Sequence, residues 1–148
     1  MRDRIRELRR VPARDLHANP ANWRVHGQRQ REILGATLDR IGYADALIAR
    51  ELPDGSLELI DGHLRVETTP DVEVPVLIVD LDEDEARALL ATLDPLTAMA
   101  EADTERLSSL LGTIQDEALQ SLARAVRDGS PTAVVAQPAR DRACCQDI

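Results

Sequence analysis

Leu59-Ile60-Asp61-Gly62-His63-Leu64-Arg65 carries an apolar run through an Asp-Gly break and straight into a helix-forming segment. A strand that passes through glycine into a helix start presents free backbone N–H groups and the positive end of a helix dipole to an anion. Gly62 lets the backbone come close to a ligand, and Arg65 adds a planar fork matched to phosphate oxygens. His63 can donate to a phosphate or carry a proton. Asp61 can accept a proton from a hydroxyl or hold a metal, as phosphoryl transfer requires. Asp61 and His63 are therefore the candidate catalytic residues, and Gly62, His63 and Arg65 the candidate phosphate binders. The same residues also read as an ordinary Asp-Gly turn in which His63 only caps or packs.

Upstream of this stretch, residues 46–52 and 57–60 flank Pro53-Asp54-Gly55-Ser56, which reads as a hairpin turn; on the second arm Leu57 and Leu59 face inward and Glu58 outward. Further back, Ile33, Leu34, Leu38 and Ile41 recur at helical spacing over 28–41, and Gly42 supplies the left-handed residue that closes a helix. Residues 5–16 read as a strand or extended lead-in ending at the turn Asn19-Pro20-Ala21-Asn22. Asn19, Asn22, Arg24 and His26 form a second polar cluster that can reach the same pocket, with Asn22 and Arg24 as candidate ligand contacts; plain loop chemistry is the alternative.

Downstream, the Gly62 turn opens a short helix that ends before Pro70. Residues 72–79 read as a buried strand, with Pro75 pointing to an edge position or a strand start. Asp82 and Glu85 have capping-box spacing, with Leu81 and Ala86 placed as a hydrophobic staple, so a helix is expected over 83–93, interrupted by Pro95. A further helix starts at Asp103 or Thr104 and ends near Gly112. Thr113 is the expected cap of a last helix reaching Asp128. Residues 130–148 have no apolar period and read as a disordered tail. The expected organisation is a core over 1–80, a helical extension over 81–129, and that tail.

The chain has 148 residues and a net charge of −9, divided unevenly along its length. Residues 1–50 hold eleven Arg and six acids, a balance of +5, whereas residues 51–148 hold seven Arg and 21 acids, a balance of −14. The early arginines can meet phosphates or form a solvated leader. Every cation is Arg, because the chain has no Lys. One Trp, one Tyr and no Phe leave no aromatic platform for stacking single-stranded bases. Purely apolar runs such as 76–79 are far below the ~20 residues of a membrane span, so a cytoplasmic protein without membrane partners is expected. Cys144 and Cys145 are adjacent in the tail and fit neither a metal pair nor a disulfide framework. His17, His26 and His63 match no zinc-ligand spacing.

Three features, in this order, resemble the ParB/sulfiredoxin-like domain from about residue 8 to residue 111. Val11-Pro12 through Leu16 and on to Asn19-Pro20-Ala21-Asn22-Trp23-Arg24 is similar to the family's lead strand and N-P-x-N-x-R turn. Leu34 to Gly42 running into Leu47-Ile48-Ala49 is similar to its helix that ends in Gly before a strand. Ile60-Asp61-Gly62-His63-Leu64-Arg65 is similar to its phosphate-binding turn in the D-G-H-x-R form.

The resemblance implies an α+β fold, a small mixed sheet with a hairpin and packed helices, followed here by the helical extension. It also implies a nucleoside triphosphate ligand, CTP or ATP, with Mg²⁺. By position, Gly62, His63 and Arg65 contact phosphate, Asp61 sits beside the reaction centre, and Arg24 closes the pocket. Partitioning members carry a second Arg where this chain has Leu64, and an E-N-x-Q-R segment absent here. The reductase branch carries Cys where His63 stands. Residues 82–127 offer no Arg-bearing helix suited to a major groove. Instead, 89–103 resembles the segment after ParB-like domains attached to DNA methyltransferases and phage proteins. The expected function is a bacterial-type nucleotide-phosphate-binding module, non-catalytic or weakly catalytic, in a DNA transaction. It reaches DNA through its Arg-rich start or through a partner protein. A small-molecule phosphotransferase using a nucleotide and Mg²⁺, and a non-catalytic protein-interaction module, are the alternatives.

Overall fold

Alternating apolar residues build the sheet of this protein, whose computed structural model describes residues 1–101 and 103–128. The chain forms two compact units, Met1–Ala102 and Asp103–Ile148. The first runs β1 (Ile5–Pro12), a 3-10 turn (Ala13–Asp15), β2 (Leu16–His17), α1 (Gln28–Ile41), β3 (Leu47–Glu51), β4 (Leu57–Asp61), α2 (His63–Thr68), β5 (Glu73–Val79) and α3 (Glu83–Ala98). Five strands form one mixed sheet in the order β1-β5-β3-β4-β2. β1 is antiparallel to β5, β5 parallel to β3, β3 antiparallel to β4, and β4 parallel to β2. The α+β class and the hairpin over Pro53–Ser56 are as the sequence predicts.

Each face of the sheet has its own core. Leu47, Ala49, Leu57, Leu59, Val74, Val76 and Ile78 are buried on one face, with Val66 of α2 and Tyr43 packed against them. On the other face Ile60 and Val79 meet Ala86 and Leu90 of α3, with Leu81, the expected staple residue, packed alongside. Ile60 is fully buried, so the outward face of β4 is covered by α3 at its C-terminal end and is not a solvent face throughout. Burying a Leu or Ile side chain stabilises by roughly 1.5–3 kcal/mol, which fixes the end of β4 between two layers.

Several elements differ from their sequence reading. Pro75 does not mark an edge, because β5 lies between β1 and β3. It sits near the start of β5, and pairing with β3 begins one residue later at Val76, so its missing N–H falls ahead of that ladder. Pro95 does not interrupt α3, which continues to Ala98. Proline withholds one donor, from the carbonyl of Ala91, an exposed residue where water can serve that carbonyl. Gly42 closes α1 with φ 80° and ψ −168°, a region essentially restricted to glycine but not the left-handed helical one.

In the second unit, α4 (Thr104–Thr113) is capped by Asp103, which accepts from the Arg106 N–H at 3.0 Å. α5 (Glu117–Asp128) is capped by Asp116 rather than Thr113. Asp116 accepts from the N–H groups of Ala118 and Leu119, while the Thr113 hydroxyl donates back to Leu110 within α4. Leu111 and Leu122 are buried. The expected tail and its two cysteines lie outside the described residues.

Among the described residues, no helix is long and apolar enough to cross a membrane. Three of the early arginines are tied to carboxylates and do not form a free leader. Arg4 makes a two-pronged contact with Glu85 at 2.7 and 2.6 Å, Arg6 pairs with Asp80 at 2.8 Å, and Arg9 pairs with Glu7.

Candidate functional site

β4 ends at Asp61, and the chain turns into α2 through Gly62 at φ 101° and ψ 13°. A Cβ at this position would lie 2.5 Å from Cγ of Leu47, so close packing as well as backbone conformation demands glycine. The turn places Asp61, Gly62, His63 and Arg65 on one wall of a pocket of about 240 Å³. Arg24 and His26, from the loop before α1, and Asp94 of α3 line the same pocket. Arg24, His63 and Arg65 thus line one pocket.

Of the second polar cluster, only Arg24 and His26 reach the pocket. Asn22 does not line it: its Oδ1 accepts from the Arg24 N–H at 3.3 Å and shapes the approach of that arginine. Asn19 is buried and makes an Asx turn, its Oδ1 accepting from the Ala21 N–H at 2.9 Å. Its own N–H donates to Nε2 of His63 at 3.1 Å. His63 is only 4% exposed, and its Nδ1 has no partner. Burial, and then the nearby Arg24 charge, hold its pKa below the usual histidine value.

Arg24 has a side chain 9% exposed. Its Nε is ion-paired with Asp94, its guanidinium lies 5.5 Å from the Trp23 ring centre, and its Nη2 is buried without a partner. The Trp23 indole in turn donates to the Leu90 carbonyl of α3 at 3.2 Å. Arg65 is differently placed: Nη2 donates to Asp61 at 2.9 Å and Nη1 to Asp45 at 3.2 Å. Of three buried side-chain nitrogens without partners among the described residues, two, Arg24 Nη2 and His63 Nδ1, belong to residues of this pocket. Leaving buried donors unpaired costs ~1–3 kcal/mol each, and a ligand that offers acceptors to both relieves that cost.

Sequence reasoning missed Asp94, Asp45 and the backbone of Asn19. Asp94 carries no local signal, because it reaches Arg24 only through the packing of α3 on the sheet. Asn19 was legible as a turn residue but not as the partner of His63, 44 positions away. Among the described residues, no cluster of three or more His, Cys, Asp or Glu side chains can hold a metal.

No protein-family model matches the chain, and no curated protein matches it in sequence. Solved structures do match its fold. The C-terminally truncated chromosome-partitioning protein ParB from Caulobacter crescentus, complexed with CTP-γ-S, aligns over 79% of this chain and 71% of its own, with TM-score 0.62 and 18% identity. The chain has the ParB/sulfiredoxin-like fold. The same Caulobacter protein complexed to the centromeric parS site aligns with TM-score 0.50 and 19% identity, over 82% of this chain and 59% of its own. A Pnob8-like ParB-N domain aligns with TM-score 0.53 and 22% identity, over 87% of this chain and 52% of its own. In this ParB-like fold the candidate pocket lies at the junction of β4 and α2.

Proposed function

We propose that this chain is a nucleotide-phosphate-binding module of ParB-like type serving a DNA transaction. The observation that carries the proposal is the pair of buried, unpartnered donors, Arg24 Nη2 and His63 Nδ1, in one pocket beside the Gly62 turn. Unpaired donors on two residues that line one pocket suit a ligand with several acceptor oxygens, which a phosphate group supplies. Support comes also from the fold, one structural neighbour being a ParB complexed with CTP-γ-S. CTP or ATP is the proposed ligand. Asp61 and Asp94 bring two carboxylates to the same pocket. Mg²⁺ typically takes one or two carboxylates plus substrate oxygens, so a Mg²⁺ arriving on the phosphates would draw on these two, each of which now faces an arginine.

The ion pairing of Arg4, Arg6 and Arg9 leaves less free positive charge on and just before β1 than the sequence promises. DNA is therefore proposed to be reached chiefly through a partner protein. Calorimetric titration with CTP, ATP and GTP in the presence of Mg²⁺ tests the module. Binding is expected, and Arg24→Ala is expected to weaken it by at least ~10-fold, the value of a charge-assisted hydrogen bond. Arg65→Ala should cost less, because Asp61 and Asp45 already hold that side chain. Absence of heat with all three nucleotides at about 1 mM would remove the proposal.

A further inference from the structure

We propose that His63 is a fixed, uncharged hydrogen-bond donor, locked in its Nδ1–H tautomer by the backbone N–H of Asn19. His63 then adds no pH dependence to anion capture in this pocket through the imidazole range. For its ligand the inference rests on the phosphate reading above, whereas the state of the ring stands on its own contacts.

An N–H aimed at a ring nitrogen from 3.1 Å leaves that nitrogen only the role of acceptor. A neutral imidazole that accepts at Nε2 carries its proton on Nδ1. Nδ1 is the atom left without a partner on a residue that lines the pocket. Forming the imidazolium would put a second proton on Nε2, set two N–H groups against each other, and break the bond that positions the ring. Asn19 is poorly placed to retreat, being 7% exposed and held in its turn by the Ala21 N–H.

The charges around the ring come from every side of the pocket. Arg24 and His26 stand on the loop before α1, Asp61 at the end of β4, Glu67 on α2, and Asp94 on α3 lines the same cavity. Burial and Arg24 act against a charged ring, Asp61 and Glu67 for it, and the balance falls on the neutral side. A bound anion by itself would draw a proton onto the imidazole. The Asn19 N–H opposes that, so the ring supplies direction and the arginines supply charge. Asn19 is a positioning residue that acts through His63. His63 cannot serve as a general base at Nε2, which is occupied, or at Nδ1, which is protonated.

Nitrogen-15 NMR of the full chain tests the tautomer directly, with and without inorganic sulfate as the probe, because sulfate keeps its charge across the range. The Nδ1–H form is expected in both samples, with no imidazolium signal from His63 down to about pH 5. A Nε2–H tautomer, or an imidazolium appearing when sulfate is added near pH 6.5, overturns the proposal. A second measurement follows sulfate affinity in a His26→Gln background, which leaves one imidazole facing the anion. The dissociation constant should change by less than ~2-fold between pH values of about 5.5 and 7.5, whereas a titrating His63 would tighten binding ~10-fold at the acid end. Failure of sulfate, phosphate and nucleotide to bind at any pH would sink the phosphate reading, and the NMR of the free chain would still decide the tautomer.

Discussion

Gly62 joins two demands that are usually met separately. Its φ of 101° suits only glycine among ordinary choices, and its missing Cβ leaves room for Leu47, whose Cγ would otherwise lie 2.5 Å away. Gly62→Ala should therefore destabilise by about 2–4 kcal/mol, the sum of a backbone-strain cost and an overpacking cost. Urea unfolding measures it, and adding Leu47→Ala helps to separate the causes: that change removes the two nearest atoms, Cγ and Cδ2, and leaves the backbone cost with a tight Cβ contact at 3.1 Å. A Gly62→Ala protein as stable as the parent would show that neither demand is real. The Asp-Gly-His-x-Arg pattern made the turn legible, because glycine between a strand and a helix has few other uses. The Leu47 contact was not legible, since it depends on how the hairpin closes. Nor was the difference between the two arginines, for Arg65 is held by Asp61 and Asp45 while Arg24 keeps a free buried nitrogen. Sequence spacing displays a charge but not the carboxylates already facing it.

At the scale of elements, α3 shows how local and distant information divide. Its capping box is complete: Asp82 accepts from the Glu85 N–H at 2.8 Å, and Glu85 accepts from the Asp82 N–H at 3.1 Å. Both partners stand three residues apart and were readable. Arg4, which clamps the same Glu85 from just before strand β1, lies 81 residues away and was not. The Arg4 hydrogen bond, reinforced by the Asp82 N–H, pushes the Glu85 carboxyl down to about 2 from 4.5. A carboxyl lowered on folding stabilises the folded state above its unfolded value, and that contribution disappears as pH falls through the folded one. The stability that Glu85 adds is expected in full above about pH 4.5 and should decline steadily toward pH 2. Urea midpoints for the parent and Glu85→Gln across that range check this. The gap between them should close on acidification, and a gap constant with pH would exclude the linkage. Pro95 illustrates the opposite case, where a local rule misled, and Pro75 half of it, since it stands near a strand start but not at a sheet edge. Each removes a single N–H, and the surrounding packing kept β5 inside the sheet and α3 running past the proline.

For the whole molecule, the division of charge and the division of structure do not coincide. The sequence changes sign of charge near residue 50, inside the strand β3, whereas the two compact units meet between Ala102 and Asp103. A charge balance reports what solvent meets, and compactness reports what apolar side chains bury, so neither need follow the other. Both cores of the sheet, the Gly62 turn and all residues lining the pocket belong to Met1–Ala102. Ala86 and Leu90 cover the Ile60 face from α3, so a piece ending at residue 80 would expose Ile60 and Val79 and lose Asp94. The expected outcome follows from that placement. On the proposed function, a chain shortened to residues 1–102 should unfold cooperatively and bind nucleotide or phosphate within about 3-fold of the full chain, since no pocket residue is removed. One shortened to residues 1–80 should unfold at much lower urea or not fold at all. Parallel urea titration and calorimetry of the two pieces decide the matter. Loss of binding by a well-folded 1–102 piece would mean that the second unit contributes to the site, and full stability of the 1–80 piece would mean that α3 is an accessory to the sheet rather than half of its core.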